Sequence, residues 1–330
     1  MDYIRKHLAQ VIRKAQPDVS DVHVNCALTD ISVAYMQEKN NFISDKVFPI
    51  VPVDKQSDVY FKLTKGNFRR NQAGVRAPGT ESVGGGFDVT KNSTYNAIVY
   101  AYHMDVPNQV KGNADFDIEA AAAEYVTEVM QIQREVNWTS EMFTTGVWGT
   151  DKVGTTDFVK WDDGASDPEA DIDAGKAKIL TATGRMPNTL VVDYNTHLAL
   201  KRHPIVQDRF HFTTSESITE NLIAKFFEVD RYLVAKASYN TAEEGATDVD
   251  ALIMGKNALL AYVAPRPGLL TPSAGYTFVW RYLTGNNDLG IAISRIEAPL
   301  LKSVRIESEF AYDHQVVGSD LGYFFSNTVA

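Results

Sequence analysis

Cysteine is all but missing from this chain: Cys26 is the only one in 330 residues. A single thiol closes no internal disulfide and builds no cysteine metal cluster, so the chain fits a reducing compartment or no redox need. Long apolar runs are missing too. No stretch approaches the ~18–20 residues needed to cross a bilayer, so no membrane partner is expected. The opening MDYIRKHLAQVIRKAQ has neither the apolar block nor the small-residue cleavage site of a signal peptide. Positive charge is scarce overall: 32 Lys and Arg stand against 42 Asp and Glu, a net −10. Nucleic-acid binders are normally basic, so that class loses weight.

Catalytic punctuation is also absent. There is no GxSxG, HExxH, GxxxxGK[ST] or CxxC. The one tight glycine cluster, Gly84–Gly86, runs into the strand-like Phe87-Asp-Val-Thr, whereas a phosphate cradle needs glycines feeding a helix amino end. Asp193 and His197 are spaced i,i+4, with His203 and His211 following, but no acidic base at a fixed spacing completes a metal or hydrolase site. The acidic clusters at Asp162–Asp173 and Glu243–Asp250 lack the alternating ligand positions of a calcium loop. No metal, cofactor or catalytic residue is expected, and the chain is read as not an enzyme.

What is present is ample core material, 44% hydrophobic and 11% aromatic, enough for one large domain or two. The most telling segment is Asp54–Thr94. Strand-like pieces alternate there with Gly, Asn and Pro, and few side chains are available to fill a core. The segment is basic on an acidic body: Lys55, Lys62, Lys65, Arg69, Arg70, Arg76 and Lys91 face only Asp54, Asp58, Glu81 and Asp88. Such an arm is expected to be stabilised by a sister molecule and not by its own fold, with Tyr60, Phe61 and Phe68 adding apolar contact. Those rings could also stack on bases, but electrostatic docking on an acidic neighbour fits the charge split better. Gly66, Gly74 and Gly79, with Gly84, Gly85 and Gly86, read as flexible joints.

Met1–Gln16 has Ile4, Leu8, Val11 and Ile12 at helical spacing, ended by Pro17. Pro49 and Pro52 force extended backbone. Val59–Leu63 reads as a strand, Thr64–Asn67 as a turn and Tyr95–Met104 as a further strand. Asp115–Phe143 is the best helix, capped by Asn113 or Asp115, with a predicted stripe of Ile118, Ala122, Tyr125, Val129, Ile132 and Val136. Such a long, narrow-striped rod suits a spine better than a bundle. Beyond it, helices are predicted over Asp171–Thr183, Thr196–Arg202 (stopped by His203-Pro204) and Thr219–Phe227. Strands are predicted within Met186–Val192, over Tyr232–Ala235, Leu252–Met254 and Leu259–Val263, and Pro265–Pro272 is a connection. Alternation favours a mixed α/β unit. In Val304–Tyr312, apolar and charged residues alternate as in a half-buried strand, which Ile291–Ile296 can pair through a turn near Pro299.

This order of arm, hairpin, spine helix, α/β lobe and closing strands resembles the major capsid proteins of tailed bacteriophages, which have the HK97-like α+β fold. Local runs add to the resemblance: Asn41-Phe-Ile-Ser-Asp-Lys-Val-Phe-Pro49, Val51-Pro-Val53, Arg76-Ala-Pro-Gly-Thr-Glu-Ser82, Met186-Pro-Asn-Thr-Leu-Val-Val192, His203-Pro204 and Gly275-Tyr-Thr-Phe-Val-Trp280. The resemblance implies an N-terminal arm (1–53), an E-loop hairpin (54–94), a P-domain with the spine helix (95–166), an A-domain (167–282) and closing P-domain strands (283–330). It implies a virion protein that self-assembles as pentamers and hexamers into an icosahedral shell around packaged double-stranded DNA, assembled in the host cytoplasm. A portal is implied as a partner and a decoration protein is possible. Some relatives begin with a long, cleaved scaffolding region; about forty residues precede the hairpin arm here, so a separate scaffolding protein is expected. Two rivals stand beside this reading: an encapsulin-like nanocompartment with the same fold, and a soluble α/β hydrolase using Asp193 and His197.

Overall fold

The structure is a computed structural model that describes residues 37–63, 65–211, 219–268, 271–284 and 291–330. The helix predicted over Met1–Gln16 lies outside them, as does Cys26. The helices, in chain order, are α1 (Ser44–Val47), α2 (Asn108–Asn113), α3 (Ile118–Met142), α4 (Pro168–Thr183), α5 (Tyr194–Arg202), α6 (Pro204–His211), α7 (Glu220–Phe226) and α8 (Arg281–Thr284). The strands are β1 (Ile50–Val53), β2 (Ser57–Leu63), β3 (Val89–Asn96), β4 (Ile98–Pro107), β5 (Asp151–Val153), β6 (Thr189–Asp193), β7 (Arg231–Ala235), β8 (Ser238–Asn240), β9 (Asp250–Leu252), β10 (Ala258–Ala261), β11 (Gly275–Trp280), β12 (Ile291–Ala298), β13 (Ser303–Val316) and β14 (Gly322–Ser326).

Two five-stranded sheets organise the body. In the first, β13 is the hub: it pairs antiparallel with β4, β12 and β11, and β1 adds parallel to β11. The predicted alternation along β13 holds, with Val304, Ile306, Phe310 and Tyr312 buried and Ser308 the small residue on that side. The second sheet runs β5-β14-β10-β6-β7. It is apolar on both faces because it is covered on both. Leu190, Val192, Leu260 and Phe325 pack with Trp161 and Ile172 on one side, and Val191, Leu259 and Phe324 with Trp138 and Phe48 on the other. Sheet membership departs from the expected segment boundaries in two places. Residues 275–280 enter the first sheet, and 322–326, expected among closing strands beside it, enter the second.

The spine helix α3 joins the two sheets. Its amino end is capped by Asp117, whose side chain accepts from the backbone N–H of Glu119 and Ala120; the predicted caps, Asn113 and Asp115, lie too early. The buried line is Ile118, Ala122, Val126, Met130, Arg134, Trp138 and Met142; it shares Ile118 and Ala122 with the predicted stripe and leaves it after them. Tyr125 is exposed, and Val129, Ile132 and Val136 are half-buried. Spacing explains the difference. A 4,3,4,3 repeat runs straight, whereas each i,i+4 step turns about 40° round the axis. The buried line therefore winds. It meets Val304 and Ile306 of the first sheet near its start and Leu259 and Phe324 of the second near its end.

Smaller corrections follow from local chemistry. Tyr95–Met104 is not one strand: the chain breaks at buried Ala97, between β3 and β4. Asp167 caps α4, and Gly184 closes it in the left-handed conformation (φ 71°), as its position at the predicted helix end requires. His203-Pro204 ends α5, but Pro204 at once opens α6, because proline is well placed in a first helical turn.

Candidate assembly interface

The hairpin root is built into the body. Tyr95 stacks on Phe278 (ring centroids 4.7 Å apart), and Tyr60 lies 5.4 Å from the same ring. Polar clamps close round them: Asn96 N–H donates to Asp313 (2.7 Å), Ala97 N–H to the Gln56 carbonyl (2.8 Å), and Trp280 Nε1 to the Asp54 carbonyl (3.2 Å). β2 and β3 pair antiparallel with an irregularity between Tyr60 and Lys62.

Beyond the root the ribbon has no core. Every residue from 68 to 90 is exposed. Val75, Val83 and Phe87 stand in solvent, and Phe68 meets only the Phe87 ring, 5.4 Å away across the hairpin, among the ring contacts of that span. Phe68, Val75, Val83 and Phe87 are thus large apolar side chains left exposed. Phe61 is exposed as well.

The basic residues divide into three groups. Lys55 pairs locally with Asp58 (2.9 Å), and Arg76 Nε donates to the Thr80 carbonyl (2.6 Å). Lys62, Lys65 and Arg69 reach the chain's own body. Lys62 Nζ lies 3.4 Å from the Val316 carbonyl, Lys65 pairs with Asp320, and Arg69 donates to the carbonyls of Thr181 and Ala182 at the carboxyl end of α4. Arg70 is exposed. These contacts correct the expectation that the ribbon owes nothing to its own fold: the root and three cations rest on it, and the apolar tip does not.

The glycines also divide. Gly66, Gly84 and Gly86 have open space round them and no left-handed φ, so neither crowding nor backbone conformation demands glycine there; at Gly85 a Cβ would lie 3.1 Å from the Gln72 side chain. The left-handed position of the hairpin is Gly79 (φ 81°), in the turn at 77–80.

The segment leading into the hairpin is core, not a loose strap. Ile43, Val47 and Phe48 are buried. Glu135 of the spine, 2% exposed, accepts the backbone N–H groups of Ile43 and Ser44, both at 3.1 Å. These are first-turn N–H groups of α1, which have no intrahelical acceptor. Burial pushes the Glu135 carboxyl above its ordinary range, opposed by those donors and by Arg134. Arg134 itself pairs with Asp45. Sequence reasoning missed this pair because charged residues in an apolar stripe read as solvent-facing; the signal was that both fall on the i,i+4 ladder or beside it.

The residues weighed for hydrolysis have structural partners. Asp193 caps α5, accepting from Asn195 N–H (2.9 Å), Thr196 N–H (3.0 Å) and the Thr196 hydroxyl. His197 Nδ1 faces the Tyr232 hydroxyl at 3.1 Å, and His203 Nε2 faces the Ser166 hydroxyl at 3.0 Å. Burial raises the Asp193 carboxyl and lowers the His197 imidazole.

No family model matches the chain. It is 27% identical over 313 residues to the major capsid protein of Burkholderia phage BcepMu, covering 92% of this chain and 96% of that protein. It is 26% identical to the major capsid protein of Pseudomonas phage JBD67 over the same shares. Among solved structures, a phage-related protein from Bordetella bronchiseptica superposes with a TM-score of 0.68 at 21% identity, covering 88% of this chain and 93% of that one. The capsid of cyanophage P-SCSP1u gives 0.59 at 11% identity and 96% of both chains. The SrpI encapsulin of Synechococcus elongatus gives 0.53 at 13% identity, covering 95% and 96%. The fold shared with the phage capsids is HK97-like, and it is the fold of this chain.

Proposed function

We infer that this chain, similar along almost its whole length to tailed-phage major capsid proteins, is the structural subunit of a phage head. The carrying observation is that full-length similarity, 92% of this chain on 96% of a phage major capsid protein, joined to the HK97-like fold. The shell is the chain's own assembly. Pentamers and hexamers of it enclose packaged double-stranded DNA, and the body's negative charge keeps contact with that DNA weak and non-specific. A separate scaffolding protein and a portal are the partners this role calls for. Assembly takes place in the host cytoplasm.

The mechanism is mechanical and additive. Each ribbon lays its exposed Phe61, Phe68, Val75, Val83 and Phe87 on a neighbour. At about 25 cal/mol per Å² of apolar area removed from water, one such contact is modest, but the lattice repeats it at every subunit. The basic residues Lys55, Arg70 and Arg76 add orientation on an acidic neighbour. An encapsulin-like container uses the same fold, but the similarity to encapsulin is one of fold alone, whereas the phage relatives also match in sequence. Deleting Lys62–Val83 tests the reading. The body, whose cores lie outside that segment, should remain folded by circular dichroism and lose the capacity to close shells. Normal particles from the deletion variant would refute the role.

A further inference from the structure

The ribbon's cationic side has a seat on its own body. Arg69 spans the Thr181 and Ala182 carbonyls, which at the end of α4 have no intrahelical donor and carry the negative end of the helix dipole. Lys65 meets Asp320 in the turn that precedes β14. Two contacts from separate parts of the body thus hold the ribbon at Lys65 and Arg69. Both are polar and solvent-exposed: the Lys65 and Asp320 side chains are 58% and 43% accessible. The seat satisfies the cations and leaves Val75, Val83 and Phe87 in water. A position that pairs the charges but wets these apolar side chains is a weak, provisional one.

We propose that the carboxyl end of α4 together with Asp320 is a self-docking site for the ribbon in the free subunit, and that joining a second copy empties it. The ribbon is then a latch. It is folded back by Lys65 and Arg69 until a neighbour offers cover for its apolar side. This rests on the reading of the chain as a shell subunit. The latch holds the ribbon's cationic residues on its own body before assembly, and its exposed ion pair makes it easy to open.

The latch is read by zero-length carbodiimide coupling, which joins a lysine amine to a carboxylate only when the two are in contact. Equal amounts of unlabelled and nitrogen-15 subunits are coupled as free chains and again as assembled particles, and linked peptides are resolved by mass spectrometry. Free subunits should give a Lys65–Asp320 link within one isotope population. Particles should lose it or give mixed-isotope links. Arg69→Gln, which changes neither coupling partner, should lower the free-subunit yield about threefold, the population change one exposed charged contact supports. An absent link in free subunits, a yield unmoved by Arg69→Gln, or an undiminished within-chain link in particles would each overturn the proposal. If no particles form at all, it is the shell reading that fails, and the free-subunit measurements still decide whether the ribbon docks on its own body.

Discussion

Replacing Glu135 with alanine should unfasten the strap that leads into the hairpin. The carboxylate is 2% exposed and holds two backbone N–H groups, those of Ile43 and Ser44. Removing it strands both donors in a buried place. A buried donor left unsatisfied costs about 1–3 kcal/mol, so the pair costs about 2–6 kcal/mol. Relief of the carboxylate's own desolvation brings the expectation to the lower half, about 2–4 kcal/mol, a large share of a typical 5–15 kcal/mol. Glu135→Gln keeps one acceptor and should lose roughly half as much. Urea unfolding followed by tryptophan emission measures this, because fully buried Trp138 lies one turn further on and packs edge-on against Phe48 (5.8 Å) of the same strap. The pH dependence adds a signed check. Burial raises the Glu135 carboxyl above its ordinary 4.5, so the folded state binds the proton more tightly than the unfolded one. Its contribution is fullest below 4.5 and is lost as pH rises through the folded value. The cost of Glu135→Gln should therefore shrink as pH rises from 4.5. An alanine variant within 0.5 kcal/mol of the parent would refute the anchoring role.

Gly322→Ala should cost about 1–3 kcal/mol in the same assay, since a Cβ there would lie 2.1 Å from the Trp148 ring; Gly66→Ala, with nothing near, should be neutral within about 0.5 kcal/mol. His314 is buried beside the Thr277 hydroxyl (3.0 Å), and burial pushes its imidazole from 6.5 down to about 3. The unfolded chain binds that proton first, so stability should fall by about 1.4 kcal/mol per unit as pH drops from 6.5 towards 3, and His314→Gln should remove that slope in acid titrations. Asp105 and Arg305 pair through two hydrogen bonds of 2.8 and 2.9 Å. A double-mutant cycle should give a coupling of about 1 kcal/mol. Arg305 holds the Asp105 carboxyl below its ordinary 3.8, so the coupling should persist above that pH and vanish as pH falls through the lowered value.

Element type was legible wherever one physical signal dominated. β13 alternates from Val304 to Phe310, and α4 carries a proline at its start and Gly184 past its end. The basic ribbon stood out because it joined turn residues with few core-forming side chains. Three features were not legible. The winding i,i+4 line on α3 became visible only once two sheets were seen to share the helix. The glycines that matter for packing, Gly275 against Phe48 and Gly322 against Trp148, carry no turn signature in the sequence. The seat for Arg69 and Lys65 is made of two main-chain carbonyls and one aspartate more than a hundred residues away, which no local pattern encodes. The ribbon's charge announced that it docks; whether on itself or on a copy is decided by how much apolar surface each seat covers.

Electron microscopy of the purified full-length protein across a concentration series tests the central claim most directly. The account predicts rings of five and six copies or closed icosahedral shells, with the 54–94 ribbon lying over an adjacent copy. A chain that stays monomeric at every concentration up to its solubility limit would contradict it.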